Sequence, residues 1–427
     1  MQTEALYRIF LDHPSVQTDT RKLKPGDIFF ALKGPNFNAN EFAPQAIEQG
    51  AAIAVVDEYN GPSSDKIIQT NDVLKALQDL AGHHRKQFNI PFIAITGSNG
   101  KTTTKELAHE VLSSTFCTYT TEGNLNNHIG IPLTLLKIKK DAEMAIIEMG
   151  ANHQLEIARY CEYTQPTHGL ITNCGKAHLE GFGSIEGVRK GKGELYDHLR
   201  NNSGTAFVMW DYEYLREMSK GIKEIVSYGT SDADYTGNVG NSSGFLQVTI
   251  THGADIDSIK TNLVGDYNLP NVLSAVTIGK YFHVTDERIK HALQNYTPSN
   301  SRSQLIKKNG NRIVLDAYNA NPSSMKAAVE NFARMEGKEK ILLLGGMMEL
   351  GNESMAEHQA LADLISRYTW REVVLVGGDF SRIKHPYTYF SSAVEAGDWM
   401  RRQHISGADI LVKGSRSMQM EKVLDGI

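Results

Sequence analysis

From Phe92 onward one pattern recurs: a short apolar run, a glycine or polar turn, then a stretch of helical character. FIAITG, MAIIEMG, HGLITN and TAFVMW are such runs, and RIVLDA, KILLLGG, EVVLVGG and ADILVKG continue the pattern beyond residue 311. Strands that are apolar throughout, rather than alternating, are those covered on both faces, so a largely parallel sheet flanked by helices is expected. Few other architectures accommodate eight runs of this kind.

With 427 residues, two to four domains are expected. Residues 1–88 read as a small α/β domain, with strands at Asp27–Ala31 and Ala51–Val56 and a helix at Val73–Gln87. Asn89–Pro91 and Thr297–Ser301 read as linkers, giving a central domain at 89–298 and a third domain at 299–427. Within the central domain, Asp232–Asp255 reads as a peripheral hairpin region, and Asn268–Tyr281 and Asp286–Gln294 as helices. The fold class is α/β with three domains: a central parallel-sheet domain, whose ATPase character rests on the P-loop residues quoted below, between a small N-terminal α/β domain and a C-terminal Rossmann-like domain.

A formal net charge of −5 with no long basic stripe gives no reason to expect nucleic-acid binding. No apolar run reaches the roughly 18–20 residues of a membrane span. The N-terminal MQTEALYRIFLDH lacks the pattern of a signal peptide. Cys117, Cys161 and Cys174 form no CxxC, so reduced thiols and a cytoplasmic location are expected.

The strongest local signal is ITGSNGKTTTKEL at residues 95–107. A strand ends at Thr96, Gly97, Ser98, Asn99 and Gly100 make a loop, and a helix opens at Lys101. Such a loop turns backbone amides onto phosphate oxygens at a helix N-terminus. Lys101 can reach the β- and γ-phosphates, and Thr102, followed by Thr103, can hold Mg²⁺. The full pattern GxxxxGK[ST] asks for glycine at position 95, where this chain has Ile95.

Four further clusters stand out. Glu148 ends a buried strand, where a hard carboxylate suits Mg²⁺ or merely caps a helix. His178 follows the strand Leu170–Thr172. Asn124, Asn126 and Asn127 crowd one loop, either to hold a polar substrate or to build turns. Asp316, Tyr318, Asn319 and Asn321 end the third domain's first strand, where Asp316 either binds a ribose hydroxyl or closes a turn. Arg189–Lys192, read from the residues alone, is a solvated basic turn.

Taken together, these pieces resemble the Mur ligases over nearly the whole chain. The resemblance rests on TRKLKPGDIFFALKG, TGSNGKTTTKEL, EGNLNNHIGIPLTLL, IEMGANH, AHLEGFGSIEGVRKGKGE, DAYNANPSSM, GGMMELG and LVKGSRSMQMEKV, in that order. The shortened phosphate loop is the family's form. Within the family, the motifs look most like those of members that add D-alanyl-D-alanine to UDP-N-acetylmuramoyl-tripeptide in cytoplasmic peptidoglycan precursor synthesis.

The resemblance implies roles. Asp19, Thr20 and Arg21 lie near the UDP end of the precursor. The central domain takes ATP and Mg²⁺. Asn268, Asn271, Arg302, Asp316 and Asn319 match positions at the nucleotide, and Lys413, Ser415 and Arg416 match a C-terminal KGSRS motif. Thr102, Glu148, His178 and Lys192 match metal-site positions, with Lys192 carbamylated, since a carbamate offers oxygens that an ammonium lacks. Lys101, His178 and Lys192 carry the chemistry, in a monomer. Three positions depart from the pattern: Gly346 replaces Asp, Leu155 replaces Gly with only a local effect on a helix start expected, and Thr20 replaces Ser. Rival readings are a sister amide ligase, a P-loop kinase and a non-catalytic nucleotide-binding module. A DNPR motif typical of the step adding a diamino acid is absent from the sequence.

Overall fold

The computed structural model describes residues 3–62, 64–240, 244–299, 301–337 and 339–427. Asn300 of the expected second linker and residues 241–243 of the hairpin region lie outside the described residues. The chain forms two compact units, one of residues 1–94, 116–151 and 155–169, the other of residues 95–115, 152–154 and 170–427. The strand Phe92–Thr96 passes from the first into the second.

In the first unit, the strands Val16–Gln17, Ile28–Phe30, Ile53–Val56 and Ile67–Gln69 form a parallel four-stranded sheet in that order. Phe29, Ala31, Ala54 and Val56 pack there against Ala39, Ala43 and Ala46. The helix Val73–Arg85 starts where the Asp72 carboxylate accepts from the Lys75 amide. Near its end, Arg85 lies buried, donating to the carbonyls of Phe88, Thr164 and Gln165, with its guanidinium 3.6 Å from the Phe92 ring centroid. Burial pulls its pKa down to about 10. In the same unit Thr118–Thr120 and Met144–Glu148 pair in parallel.

In the second unit, Thr205–Met209, Glu224–Gly229 and Tyr235–Val239 run parallel, and Phe245–His252 and Ser258–Val264 fold back antiparallel. A further six-stranded sheet has the order Gln304–Lys308, Asn311–Asp316, Asp409–Lys413, Lys340–Gly345, Glu372–Val376, Thr388–Phe390. Only its first strand is antiparallel. Its core is Ile313, Leu315, Ile341, Leu343, Val374, Ile410 and Val412, the apolar runs read from the sequence. The strands Gln304–Lys308 and Thr388–Phe390 were not among those runs. They are sheet edges, half-buried, and carry no continuous apolar stretch.

One expectation from residues alone is overturned. Arg189–Lys192 is no solvated turn but lies inside the helix Ile185–Asn201, capped by Ser184, whose hydroxyl accepts from the Gly187 amide. Lys192 is only 1% exposed.

Candidate active site

The phosphate-type loop is built by the rules of its residues. The helix Lys101–Ser113 follows Gly100, which has φ +82°. A Cβ at Gly100 would stand 2.6 Å from Asn271 Oδ1, so both backbone conformation and space demand glycine. The loop is laced to the strand end that follows His168–Ile171. The Ser98 and Asn99 amides donate to Asn173, Thr172 Oγ1 donates to the Asn99 carbonyl at 2.6 Å, and Ser98 Oγ donates to the Gly175 carbonyl. Lys101 Nζ folds back to donate to the Gly97 carbonyl at 2.7 Å. Thr102 and Thr103 are buried.

Two elements distant in sequence close on this loop and the helix it introduces. Asn271 Oδ1 accepts from Thr104 Oγ1 at 3.1 Å, and Asn271 Nδ2 donates to Asn268 Oδ1 at 2.9 Å. Asn321 Nδ2 donates to Asn99 Oδ1 at 2.8 Å. Behind Asn321, Lys413 Nζ pairs with Asp316 Oδ2 at 2.5 Å, and Ser415 Oγ donates to the Ala320 carbonyl. Arg302 lays its guanidinium 3.6 Å from the centroid of Tyr318, whose other neighbour is Arg416 at 5.8 Å. Arg302 Nε is buried with no hydrogen-bond partner among the described residues. Asn319 is exposed, and its side chain accepts from the Ala320 amide.

His178 has φ +51° and precedes the short helix Leu179–Phe182. Its Nδ1 stands 2.5 Å from Glu349 Oε2. That imidazole holds the Glu349 carboxyl below the usual carboxylate range, against the opposing pull of burial. Two residues before His178, Lys176 Nζ pairs with Glu357 at 2.5 Å and the Lys176 amide donates to Ser323 Oγ. Lys192 Nζ lies 5.1 Å from the Phe182 ring centroid. Cys174 is buried in the same surroundings, and desolvation pushes its thiol up to about 12 although Lys192 and Arg189 oppose this.

The first unit carries the other expected residues. Glu148 is 1% exposed. Its Oε1 accepts from Asn126 Nδ2 at 2.7 Å, and its Oε2 is buried with no hydrogen-bond partner among the described residues. Asn127 Oδ1 accepts from the Ile129 and Gly130 amides, so this amide builds the start of the helix Gly130–Leu136. Asn124 is exposed, and its carbonyl accepts from the Asn126 amide. Asp19 and Arg21 form a two-pronged pair at 2.9 Å in each arm, flanking Thr20. The guanidinium holds the Asp19 carboxyl down to about 2.

Among the described residues, no three His, Cys, Asp or Glu side chains gather as a cation cage. The expected Mg²⁺ set contains only two residues of those types. What fits a hard cation is the orphaned Glu148 oxygen, since a buried carboxylate atom without a partner is costly.

Residues 14–85 match the Mur ligase family catalytic domain, 95–279 the Mur ligase middle domain, and 301–416 the Mur ligase glutamate ligase domain. The UDP-N-acetylmuramoyl-tripeptide–D-alanyl-D-alanine ligase of Bacillus subtilis is 33% identical to the chain, covering 96% of the chain and 92% of the relative. The Escherichia coli enzyme of that name is 36% identical with the same coverage. The chain belongs to the Mur ligase family. Among solved structures, this Mur ligase is similar to MurF from Acinetobacter baumannii, with a TM-score of 0.85, 31% identity and coverage of 96% and 92%. It is also similar to a MurF ligase from Thermotoga maritima in complex with ADP, with a TM-score of 0.87, 25% identity and 96% coverage of each chain.

Two of the three positions read as departures, Leu155 and Gly346, have structural counterparts. Leu155 precedes the helix Glu156–Thr164 at φ +69°, a glycine conformation held by a leucine that is 63% exposed. A Cβ at Gly346 would lie 2.6 Å from Gly378 Cα, and one at Gly378 would lie 2.7 Å from Gly346 Cα. Sequence reasoning missed Asn173, Lys176, Glu349 and Glu357. Asn173 and Lys176 lie between the strand Leu170–Thr172 and His178, and Glu349 in GGMMELG, so proximity to a motif was the available signal. Glu357 had none. Among the described residues, no helix is long and apolar enough to cross a membrane.

Proposed function

We propose that this Mur ligase adds D-alanyl-D-alanine to UDP-N-acetylmuramoyl-tripeptide at the expense of ATP, as a cytoplasmic monomer. The observation that carries the reading is the convergence of Asn271 and Asn321 on the phosphate-type loop and the helix start it introduces, Asn271 at Gly100 and Thr104 and Asn321 at Asn99, with Asn268 bonded to Asn271. The relatives named for that activity, at 33% and 36% identity over 96% of the chain, support it. Residues 1–88 take the UDP precursor at Asp19, Thr20 and Arg21, residues 89–298 take ATP, and residues 299–427 take the dipeptide and part of the nucleotide.

A carboxylate does not form an amide directly, because oxide is a poor leaving group. The tripeptide carboxylate attacks the γ-phosphorus, ADP leaves, and an acyl phosphate results. The dipeptide amine attacks that carbonyl, loses a proton and expels inorganic phosphate. The protein's part is alignment and charge neutralisation. Lys101 exchanges its carbonyl partner for phosphate oxygens, and the loop amides hold the remaining charge. Asn268, Asn271, Asp316 and Asn319 orient the nucleotide, Arg302 offsets phosphate charge, and Asn124, Asn126 and Asn127 border the precursor. Lys413, Ser415 and Arg416 frame the dipeptide.

Thr102, Glu148, His178 and carbamylated Lys192 would hold Mg²⁺, which screens the negative groups that must meet. The carbamate forms when neutral Lys192 Nζ attacks CO₂ and loses a proton. Lys192 lies 1% exposed within the helix Ile185–Asn201.

The test is phosphate release against a panel of UDP-muramoyl peptides, amino acids and dipeptides. Turnover is expected only with UDP-N-acetylmuramoyl-tripeptide and D-alanyl-D-alanine together. Equal turnover with a single free amino acid would overturn the assignment.

A further inference from the structure

His358 has no part in the reaction described above, yet it is fully buried and both of its ring nitrogens are engaged. It lies 0% exposed in the helix Ser354–Ile365. Its Nε2 accepts from the Met347 amide at 3.1 Å, and its Nδ1 stands 2.7 Å from the Ser354 carbonyl. A backbone amide can only donate and a carbonyl can only accept, so the ring is neutral with its hydrogen on Nδ1. Burial keeps it neutral, lowering its pKa below the ordinary 6.5 against the opposing pull of the Ser354 carbonyl, Asp379 and Glu357. Phe380 packs edge-on against the ring at 4.7 Å between centroids, and a Cβ at Gly378 would stand 3.2 Å from Nε2. The ring is thus confined beneath the turn that Met347 begins.

That turn leads to the KGSRS stretch. It follows the strand Lys340–Gly345. One residue beyond the amide held by His358, the Met348 amide donates to Ser415 Oγ at 3.0 Å. Ser415 Oγ donates in turn to the Ala320 carbonyl at 3.3 Å, and the Ser415 amide donates to the Gly346 carbonyl at 3.2 Å. Two successive amides therefore tie the turn to a buried imidazole and to a buried hydroxyl. Ser415 is 1% exposed, whereas the side chain of the next residue, Arg416, is 64% exposed. What the turn fixes toward solvent is the segment bearing that guanidinium.

We propose that His358 is a positioning residue for the dipeptide: by accepting from the Met347 amide it holds the Met348 amide on Ser415, and so sets the place of Ser415 and Arg416. This rests on the reading of Lys413, Ser415 and Arg416 as the frame of the dipeptide. Loss of the acceptor leaves a buried amide without its partner, and the turn must shift to find another. The Ala320 carbonyl, next to Asn321 of the nucleotide loop contact, is one bond further from His358 than Ser415 is. ATP should feel the loss less than the dipeptide does.

Phosphate release by the full chain is measured with the dipeptide varied and then with ATP varied, in His358→Leu, His358→Gln and Ser415→Ala. Leucine fills much of the space but accepts nothing, while glutamine can place an amide oxygen near the former Nε2. His358→Leu should raise KM for D-alanyl-D-alanine by about 10-fold, the scale of one buried donor left unsatisfied, with kcat and KM for ATP changed less. His358→Gln should recover most of that loss, a rescue that filling of the core alone would not give. In the parent protein, imidazole ¹⁵N shifts should show Nδ1–H with Nε2 unprotonated, a measurement that needs no variant to fold. Nε2–H in the parent, equal losses in His358→Leu and His358→Gln, or equal rises in the two KM values would each overturn the proposal. Should Ser415→Ala raise the dipeptide KM while His358→Leu leaves it unchanged, the positioning role is wrong and the dipeptide reading stands. An unchanged dipeptide KM in Ser415→Ala would remove that reading and this one with it.

Discussion

Gly100 and Asn271 are in contact across 171 positions of sequence: a single added carbon at Gly100 would stand 2.6 Å from Asn271 Oδ1. The same amide oxygen accepts from Thr104, one turn into the helix that the loop introduces. Loop, helix start and the helix Leu269–Tyr281 therefore form one unit of geometry.

Gly100→Ala should accordingly weaken nucleotide binding with only modest loss of fold stability. The left-handed backbone at φ +82° costs alanine roughly 1–2 kcal/mol, and the Asn271 contact must shift as well. Calorimetric titration with ADP should show affinity falling by about 10-fold or more. Unaltered ADP affinity would mean that Asn271 can move aside at no cost to the site.

Lys101→Ala should remove the cation that offsets phosphate charge. Deleting such a group commonly costs about 100-fold in turnover. Circular dichroism should be unchanged, because the parent side chain donates to the carbonyls of Gly97 and Ser98 within its own loop. A variant retaining a third of parental activity would contradict the assigned role.

Lys192 gives a test by rescue. Lys192→Ala should lose most activity, and acetate in the buffer should restore part of it by supplying the missing carboxylate. Lys192→Arg should not rescue, since a guanidinium keeps its charge and offers no oxygen. If arginine substitutes freely, the carbamate is wrong even though the ligase assignment survives.

Leu155→Gly should stabilise the protein. Leu155 holds φ +69° with its side chain largely exposed, so little packing offsets the strain. A gain of about 1 kcal/mol is expected from relief of the left-handed leucine, less the added chain entropy of glycine. Denaturant midpoints of the two proteins provide the measurement, and a destabilised glycine variant would show that the leucine side chain packs productively.

His84 predicts the sign of one pH effect. It is buried, with Nε2 on the Ile138 carbonyl at 2.8 Å and Nδ1 on the Tyr7 hydroxyl at 3.2 Å. Desolvation lowers its pKa below the ordinary value of 6.5, with the neighbouring His83 adding to the shift. The unfolded chain thus binds the proton more readily, so the stability contributed by neutral His84 is present above about pH 6.5 and lost as pH falls below it. His84→Gln keeps a donor for Ile138 and does not titrate. Its midpoint should therefore change less between pH 7 and pH 5 than that of the parent.

Much of this was legible in sequence because the signals were local. Eight apolar runs announced the sheet interiors, and the helix opens at Lys101 as its glycine loop implied. The edge strands Gln304–Lys308 and Thr388–Phe390 were missed because half-buried edges carry no unbroken apolar run. Lys192 misled for the opposite reason: a cluster of basic residues looks solvated, and nothing in Arg189–Lys192 reveals a buried helix face. Only the family resemblance singled out that lysine. Glu357 touches Lys176 through a chain crossing that no single-sequence spacing records.

The two glycines at 346 and 378 lack side chains for each other's sake: neither can gain a Cβ without colliding with the other's α-carbon. An aspartate at 346, which the family resemblance leads one to expect, would meet the backbone of Gly378 whatever its carboxylate could do. A side chain at either position therefore requires the backbone at the other to move first.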